Sequence, residues 1–348
     1  MTGKLAVVLF NLGGPDSLAA VRPFLYNLFK DPAIISLPAL MRHLVAWLIS
    51  SRRAPIATEI YRQIGGRSPI LPATQAQGEA LTEALAGVAD EVKIVIAMRY
   101  WHPFSSDAAQ QLAAWQPDRI VLLPLYPQYS DTTSGSSLKD WRRAAKRAGL
   151  RAPTQALCCY PRLPGWVEAQ TALLKDALAR VGENNPVRVL FSAHGLPKKI
   201  VDAGDPYQKQ VEIGAAAIVA ALGRPDLDWQ ISYQSRVGPL EWIGPATETE
   251  IIRAGVEGKG LIVLPIAFVS EHSETLVELD IEYAHLAAEA KVPFYQRVAT
   301  VSAHPSFIAG LALAVRQVLA APALIDSAER TRICPTACVA CVYGGKVG

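Results

Sequence analysis

Short apolar runs alternate with helix-period stretches from Leu5 to about Ala299, the pattern of strand–helix units that assemble a parallel sheet. The runs predict strands over 4–10, 92–98, 119–125, 154–160, 187–193, 228–234, 260–266 and 294–299. Four strands in each half predict an α/β protein of two similar Rossmann-like domains, each a four-stranded parallel sheet flanked by helices. The segments beginning at Arg119 and Gly260 read as equivalent strands, since each closes on a proline and leads through a polar turn into a helix. A duplicated frame of this kind places a ligand cleft between its halves. The Pro-rich Tyr160-Pro161-Arg162-Leu163-Pro164-Gly165 puts the boundary near 153–165. The expected domains are 1–155, joined by a C-terminal helix over 304–321, then 156–303, with a cysteine-rich tail over 322–348.

Within the second half one helix is well punctuated. Asp205 is a capping residue, Pro206 fits a first turn and Gly223 ends the run after Leu222.

Bulk properties narrow the classes. The 348 residues suffice for two cores, and with 51% apolar and 19% charged residues the chain is not a disordered one. A net charge of +3, without a Lys/Arg block interleaved with aromatics, excludes nucleic acid as a partner. Residues 1–10 run directly into an apolar strand, with no basic leader and no cleavage site, so the expected location is the cytoplasm. No apolar run is long enough to span a bilayer. The stretch 34–49 is mostly apolar, encloses Arg42 and His43, and is followed by Arg52 and Arg53. It suits a helix lying on the inner face of the cell membrane or the lip of a pocket for a flat hydrophobic ligand; an ordinary buried helix is the alternative.

Candidate chemistry gathers at strand ends. His194 closes the strand 187–193 and is followed by Gly195-Leu196-Pro197, where ligands of open α/β sheets bind. After the strand ending at Ile266 come Glu271, His272 and Glu274, an imidazole–carboxylate group suited to a first-row ion such as Fe²⁺. Leu276, Leu279, Tyr283 and Leu286 make a buried stripe at helical spacing. Glu274, Glu278 and Glu282 fall opposite it, as a cation path or a solvated face, the second being favoured. Three further strand ends are Asn11-Leu12-Gly13-Gly14-Pro15, Arg99-Tyr100-Trp101-His102-Pro103 and Tyr126-Pro127-Gln128-Tyr129-Ser130. None carries a GxGxxG or a Gly-Lys-Ser/Thr ending, so these loops suit a large planar acid better than nucleotide phosphate.

These residues resemble the ferrochelatases, which insert Fe²⁺ into a porphyrin to make heme. The likeness runs in order through Asn11–Pro15, Ile64–Pro69, Arg99-Tyr100, Tyr126–Tyr129, Phe191–Pro197, Gly204–Tyr207, Gln234–Pro239, Trp242–Pro245 and Pro265 to Glu282. The resemblance implies a porphyrin cleft between two Rossmann-like halves, with His194 and Glu274 as the catalytic and metal-site pair. The reaction must remove two pyrrole protons while a hydrated ion sheds its water, which requires a base and a ligand beside a deformed macrocycle. His194 is the proton acceptor or the iron ligand, and Glu274 shares metal delivery or proton removal. Arg99, Ser130 and Arg236 are expected at the propionates and Tyr100 and Trp242 at the pocket wall. Leu12, Gln234 and Ser235 complete the substrate contacts, while Glu271, His272, Glu278 and Glu282 form an accessory metal or proton path. Protoporphyrin IX is the expected porphyrin, with coproporphyrin III left open. The readings to be excluded are a cobalt chelatase, a tetrapyrrole- or metal-binding carrier without turnover, and a redox protein centred on the cysteines. Monomer and homodimer both remain open.

The tail carries Cys334, Cys338 and Cys341; the other cysteines are the adjacent Cys158 and Cys159. Three thiolates and one from the folded body supply the four that a [2Fe–2S] cluster requires, as in the many ferrochelatases that this tail resembles. Neighbouring strand residues point to opposite faces, so one of the adjacent pair, Cys158 by preference, is the fourth ligand. A zinc knuckle is the alternative.

Overall fold

The computed structural model describes residues 2–181, 186–236, 238 and 240–345, so Val237 and Pro239 of one quoted motif lie outside the described residues. The chain forms two compact units. One comprises Met1–Cys159, Ala312–Thr331 and Val342–Gly348; the other comprises Tyr160–Leu311 and Arg332–Cys341. The tail is thus divided between both.

The described strands are β1 (Lys4–Asn11), β2 (Glu91–Met98), β3 (Arg119–Pro124), β4 (Thr154–Leu157), β5 (Val187–His194), β6 (Asp228–Gln234), β7 (Gly260–Pro265), β8 (Tyr295–Arg297) and β9 (Ile325–Asp326). The first unit has the sheet order β2-β1-β3-β4-β9 and the second β6-β5-β7-β8, all pairs parallel. Apart from β9 the two orders are the same, with β5 in the place of β1 and β7 in the place of β3. Even the closing prolines correspond: Pro124 pairs with Phe10 and Pro265 with Ser192. Leu5 through Phe10 have no exposed surface. A run buried on both sides reads as continuously apolar, because helices cover both faces of a parallel sheet.

Two expectations change. The first sheet has five strands rather than four, because the two-residue β9 joins from the tail through Ala156 N–H to Leu324 O (2.8 Å) and Cys158 N–H to Asp326 O (2.7 Å). Two residues carry no periodicity, so pattern cannot find them. The strands expected over 154–160 and 294–299 are also shorter, ending at Leu157 and Arg297.

The helix Tyr207–Leu222 starts with the Tyr207 N–H donating to Asp205 Oδ1 (3.0 Å) and stops at Gly223, whose φ of 70° is left-handed. The apolar stretch 34–49 becomes helical only after Pro38, in a helix Ala39–Gln63 that packs Ala54, Ala57 and Tyr61 against Phe24 and Leu25. Its other side is not buried: Leu40 is 86% exposed, Leu44 67% and Trp47 53%, so the ordinary buried helix is ruled out. Among the described residues no helix is long and apolar enough to cross a membrane.

Candidate active site

β5 delivers His194 to the carboxyl end of its sheet, and the loop behind it is tightly held. Gly195 N–H donates to Gln234 O (2.8 Å), and a Cβ on Gly195 would lie 3.0 Å from that carbonyl and 3.2 Å from the Trp242 ring. Glycine is required by this close approach. Ile243 N–H donates to Leu196 O (3.0 Å), which keeps Trp242 beside the histidine loop. Nδ1 of His194 lies 2.7 Å from the Gly195 carbonyl, an acceptor only, so that nitrogen carries the hydrogen and Nε2 is left for chemistry. Tyr207, from the capped helix, donates its hydroxyl to His194 O (3.0 Å).

Opposite stands Glu274, the first residue of a π-helix over Glu274–Glu282 that continues as the α-helix Tyr283–Glu289. The wider π turn changes which residues face inward, and such turns occur often at functional sites. Of the expected stripe, Leu279 and Tyr283 enter the core beside Leu190 and Val263 and Leu286 packs against it; Leu276 is half-buried, while Thr275 and Val277 are buried. Glu274 and Glu278 are half-buried rather than solvated, which overturns the favoured solvated face for these two.

His194 Nε2 lies 3.6 Å from Glu274 Oε1, and His272 Nε2 lies 3.3 Å from Glu274 Oε2. One carboxylate therefore bridges two imidazoles. Burial by itself lowers the His194 pKa, but the Glu274 carboxylate overrides it and raises the value to about 9. For Glu274 burial raises the pKa, and the charge of His194, its hydrogen bond and His272 together hold it well below the usual carboxylate range. His272 is buried, and its Nδ1 has no partner among the described residues.

Glu278 sits one step further along. It accepts Ser235 N–H (2.8 Å), Ser235 Oγ (2.5 Å), Gln234 Nε2 (3.0 Å) and Tyr283 OH (3.0 Å). Ser235 adopts φ 61°, the left-handed region, and that conformation aims both its donors at one carboxylate. Burial, then the charge of Glu274, raise the Glu278 pKa. Gln234 also receives Ser192 Oγ (2.7 Å) and donates to Glu274 O (3.2 Å), so its amide positions the acidic helix.

The remaining expected residues separate clearly. Glu271 points away, into Arg297 (2.8 Å), Thr275 and Thr300; burial raises its pKa, but Arg297, Thr275 and Thr300 together outweigh that and lower it. Glu282 is exposed, outside this buried group. Arg236 is exposed on the loop beside His194. In the other unit, Leu12 packs against the cluster containing buried Tyr100, and Ser130 is buried with its hydroxyl 2.9 Å from Thr132. Arg99 donates to Asp31 Oδ2 (2.7 Å) and Ser136 Oγ (2.7 Å), so it is held within its own unit. Sequence reasoning missed Asp31, Tyr207 and Tyr283. Tyr207 was within reach, since it ends the ordered segment Gly204–Tyr207.

Cys334, Cys338 and Cys341 fall in the second unit and Cys158 and Cys159 in the first. Cys334 shares a hydrogen bond with Cys341, which with burial raises its pKa, and Gln210 Nε2 lies 3.1 Å from its sulfur. Among the described residues no group of three or more such side chains is gathered tightly enough to hold a metal ion. The donor chemistry suits iron–sulfur ligation, and burial together with the neighbouring thiols raises the pKa of both Cys334 and Cys338.

A profile of the ferrochelatase family matches residues 4–319. The chain belongs to the ferrochelatase family. Among the relatives of this ferrochelatase-family chain, the ferrochelatase of Phenylobacterium zucineum (strain HLK1) is 58% identical over 312 residues, covering 89% of this chain and 90% of that one. The ferrochelatase of Caulobacter vibrioides (strain NA1000 / CB15N) is 55% identical and covers 94% of each. The sirohydrochlorin chelatase SirB of Bacillus subtilis subspecies spizizenii in complex with cobalt matches with a TM-score of 0.53 at 13% identity, over 92% of this chain and 97% of that one. At that identity the likeness shows a shared chelatase fold. The ferrochelatase family model ends before Cys334, so the tail thiols lie beyond what defines the family.

Proposed function

We propose that His194 and Glu274 carry out the insertion of Fe²⁺ into protoporphyrin IX, with release of two protons. Membership of the ferrochelatase family makes the reaction iron insertion into a porphyrin, a step of heme biosynthesis, and makes the protein a lyase. The observation that carries the assignment is the 3.6 Å pair of His194 Nε2 and Glu274 Oε1 at the end of β5, with His272 on the second carboxylate oxygen. Nε2 faces the carboxylate, so an ion entering between them meets a nitrogen and an oxygen donor together, a set suited to Fe²⁺. A pyrrole proton leaving the macrocycle has His194 as its base once Nε2 is unprotonated, with a second carboxylate, Glu278, behind the pair.

For the porphyrin we assign Leu12, Tyr100, Ser130 and Trp242 to the wall and Arg236 to a propionate, on the ordered motifs that contain them. Arg99 supports that wall through Asp31 rather than offering a free guanidinium. We place the protein in the cytoplasm, with the exposed apolar side chains of Ala39–Gln63 against the inner membrane face; Arg52 and Arg53 follow them, as suits anionic lipid. We assign Cys334, Cys338, Cys341 and Cys158 to an iron–sulfur cluster, supported by four soft sulfur donors and the Cys334–Cys341 hydrogen bond. Such a cluster would secure the tail or register oxidation, and no step of insertion passes through it.

The test is an anaerobic assay with Fe²⁺ and protoporphyrin IX. Wild type should form metalloporphyrin, and His194→Ala and Glu274→Gln should each lose at least about a hundredfold in kcat. Normal turnover by His194→Ala would overturn the assignment.

A further inference from the structure

The first unit contains a cavity of about 580 Å³ that the iron-insertion site does not use. It lies beside the carboxyl end of β2, among the helices Val21–Phe29, Ser105–Trp115 and Ser134–Arg147. Lys30, Arg99, Arg143 and Arg147 line it, with Asp140 as the one carboxylate and Phe104 on one wall.

Arg99 is compensated by Asp31 and, at 3.9 Å, faces Asp140, but the other three cations are poorly compensated. Lys30 Nζ donates to the neutral Asn27 Oδ1 (2.7 Å), and Arg143 Nε donates to the Lys139 carbonyl (3.2 Å). Neither Arg143 nor Arg147 has a carboxylate partner among the described residues. The two stand four residues apart on one helix, where like charges repel. Burial and then the charge of Arg99 lower the Lys30 pKa, while Asp140 raises it. The size lies within the range of small-molecule sites.

We propose that this pocket binds a small molecule through a di- or triphosphate group, with Arg143, Arg147 and Lys30 on the phosphate oxygens. Arginine forks match phosphate oxygens in pairs, and several separated cations favour a multiply charged group over a single carboxylate. No glycine-rich loop takes part, so this is recognition by side chains.

Titration calorimetry of the full chain with pyrophosphate, at constant ionic strength, tests it. One pyrophosphate should bind per chain, and Arg143→Ala/Arg147→Ala should weaken binding by about tenfold or more while iron insertion without pyrophosphate is unchanged. Asp140→Asn, which removes the lone repelling carboxylate, should tighten it by about threefold. No binding at millimolar pyrophosphate, or equal affinity in wild type and the double variant, would overturn the site. Citrate binding as tightly as pyrophosphate would overturn the phosphate assignment.

Discussion

His194 Nε2 faces Glu274 Oε1 at 3.6 Å while its Nδ1 is tied to the Gly195 carbonyl at 2.7 Å, so the ring is fixed by one nitrogen and presented by the other. Its pKa is raised from 6.5 to about 9, against burial and through Glu274. The contribution of this histidine to stability is therefore complete below 6.5 and lost as pH rises through about 9. Glu274, depressed below 4.5, contributes fully above that value and loses its contribution as pH falls through its folded pKa. The pair is strongest between about 4.5 and 6.5. In Glu274→Gln burial remains and the charge is gone, so the His194 titration followed by NMR should fall to 6.5 or lower. A titration still near 9 would show that Glu274 is not the cause.

The same proton competes with iron. Fe²⁺ needs the unprotonated Nε2, so its affinity should rise with pH by up to about tenfold per pH unit and level off above the His194 pKa. Anaerobic equilibrium titrations with Fe²⁺ at several pH values measure this slope. A flat affinity across the range would mean that His194 does not ligate the ion.

Much of this arrangement is legible in the sequence. The strands follow from apolar runs that are buried on both faces, and those runs place His194 at a strand end and Glu274 at a helix start. What pattern could not supply is the winding of Glu274–Glu282: a π turn and an α turn share the same apolar content, and only packing chooses between them. Ser235 is similar, since its left-handed φ of 61° reflects Glu278 across the loop and not any local signal. Arg99 makes a contact that pattern does not reveal. An arginine at a strand end suggests a ligand carboxylate, but the carboxylate it meets is Asp31, far away in the sequence.

Asp31 is 3% exposed and its Oδ2 accepts Arg99 (2.7 Å), Tyr100 OH (2.9 Å) and Ser136 Oγ (2.5 Å). Removing it leaves a largely buried guanidinium and a buried phenol without their acceptor. Asp31→Ala should cost about 3–5 kcal/mol in urea unfolding, the range for breaking a buried pair from one side. A loss below about 1 kcal/mol, the worth of an exposed pair, would show that water replaces Asp31 there.

Glu278 collects four donors, which fill its acceptor sites, and its pKa is raised by burial and by Glu274. A carboxyl that gains a proton readily beside the metal-site pair can hand it outward, whereas an amide cannot. Glu278→Gln can keep most of the hydrogen bonds, because the amide oxygen accepts Ser235 N–H and Tyr283 OH and the Ser235 hydroxyl can rotate to accept. Its melting temperature should therefore change little while kcat falls by about tenfold or more. Ser235→Gly keeps the main-chain donor, relieves the left-handed φ and deletes the hydroxyl, so it should preserve the fold and lower kcat less than Glu278→Gln does. If Glu278→Gln lost stability and kept kcat, Glu278 would be a strut for the π-helix and protons would leave by another route.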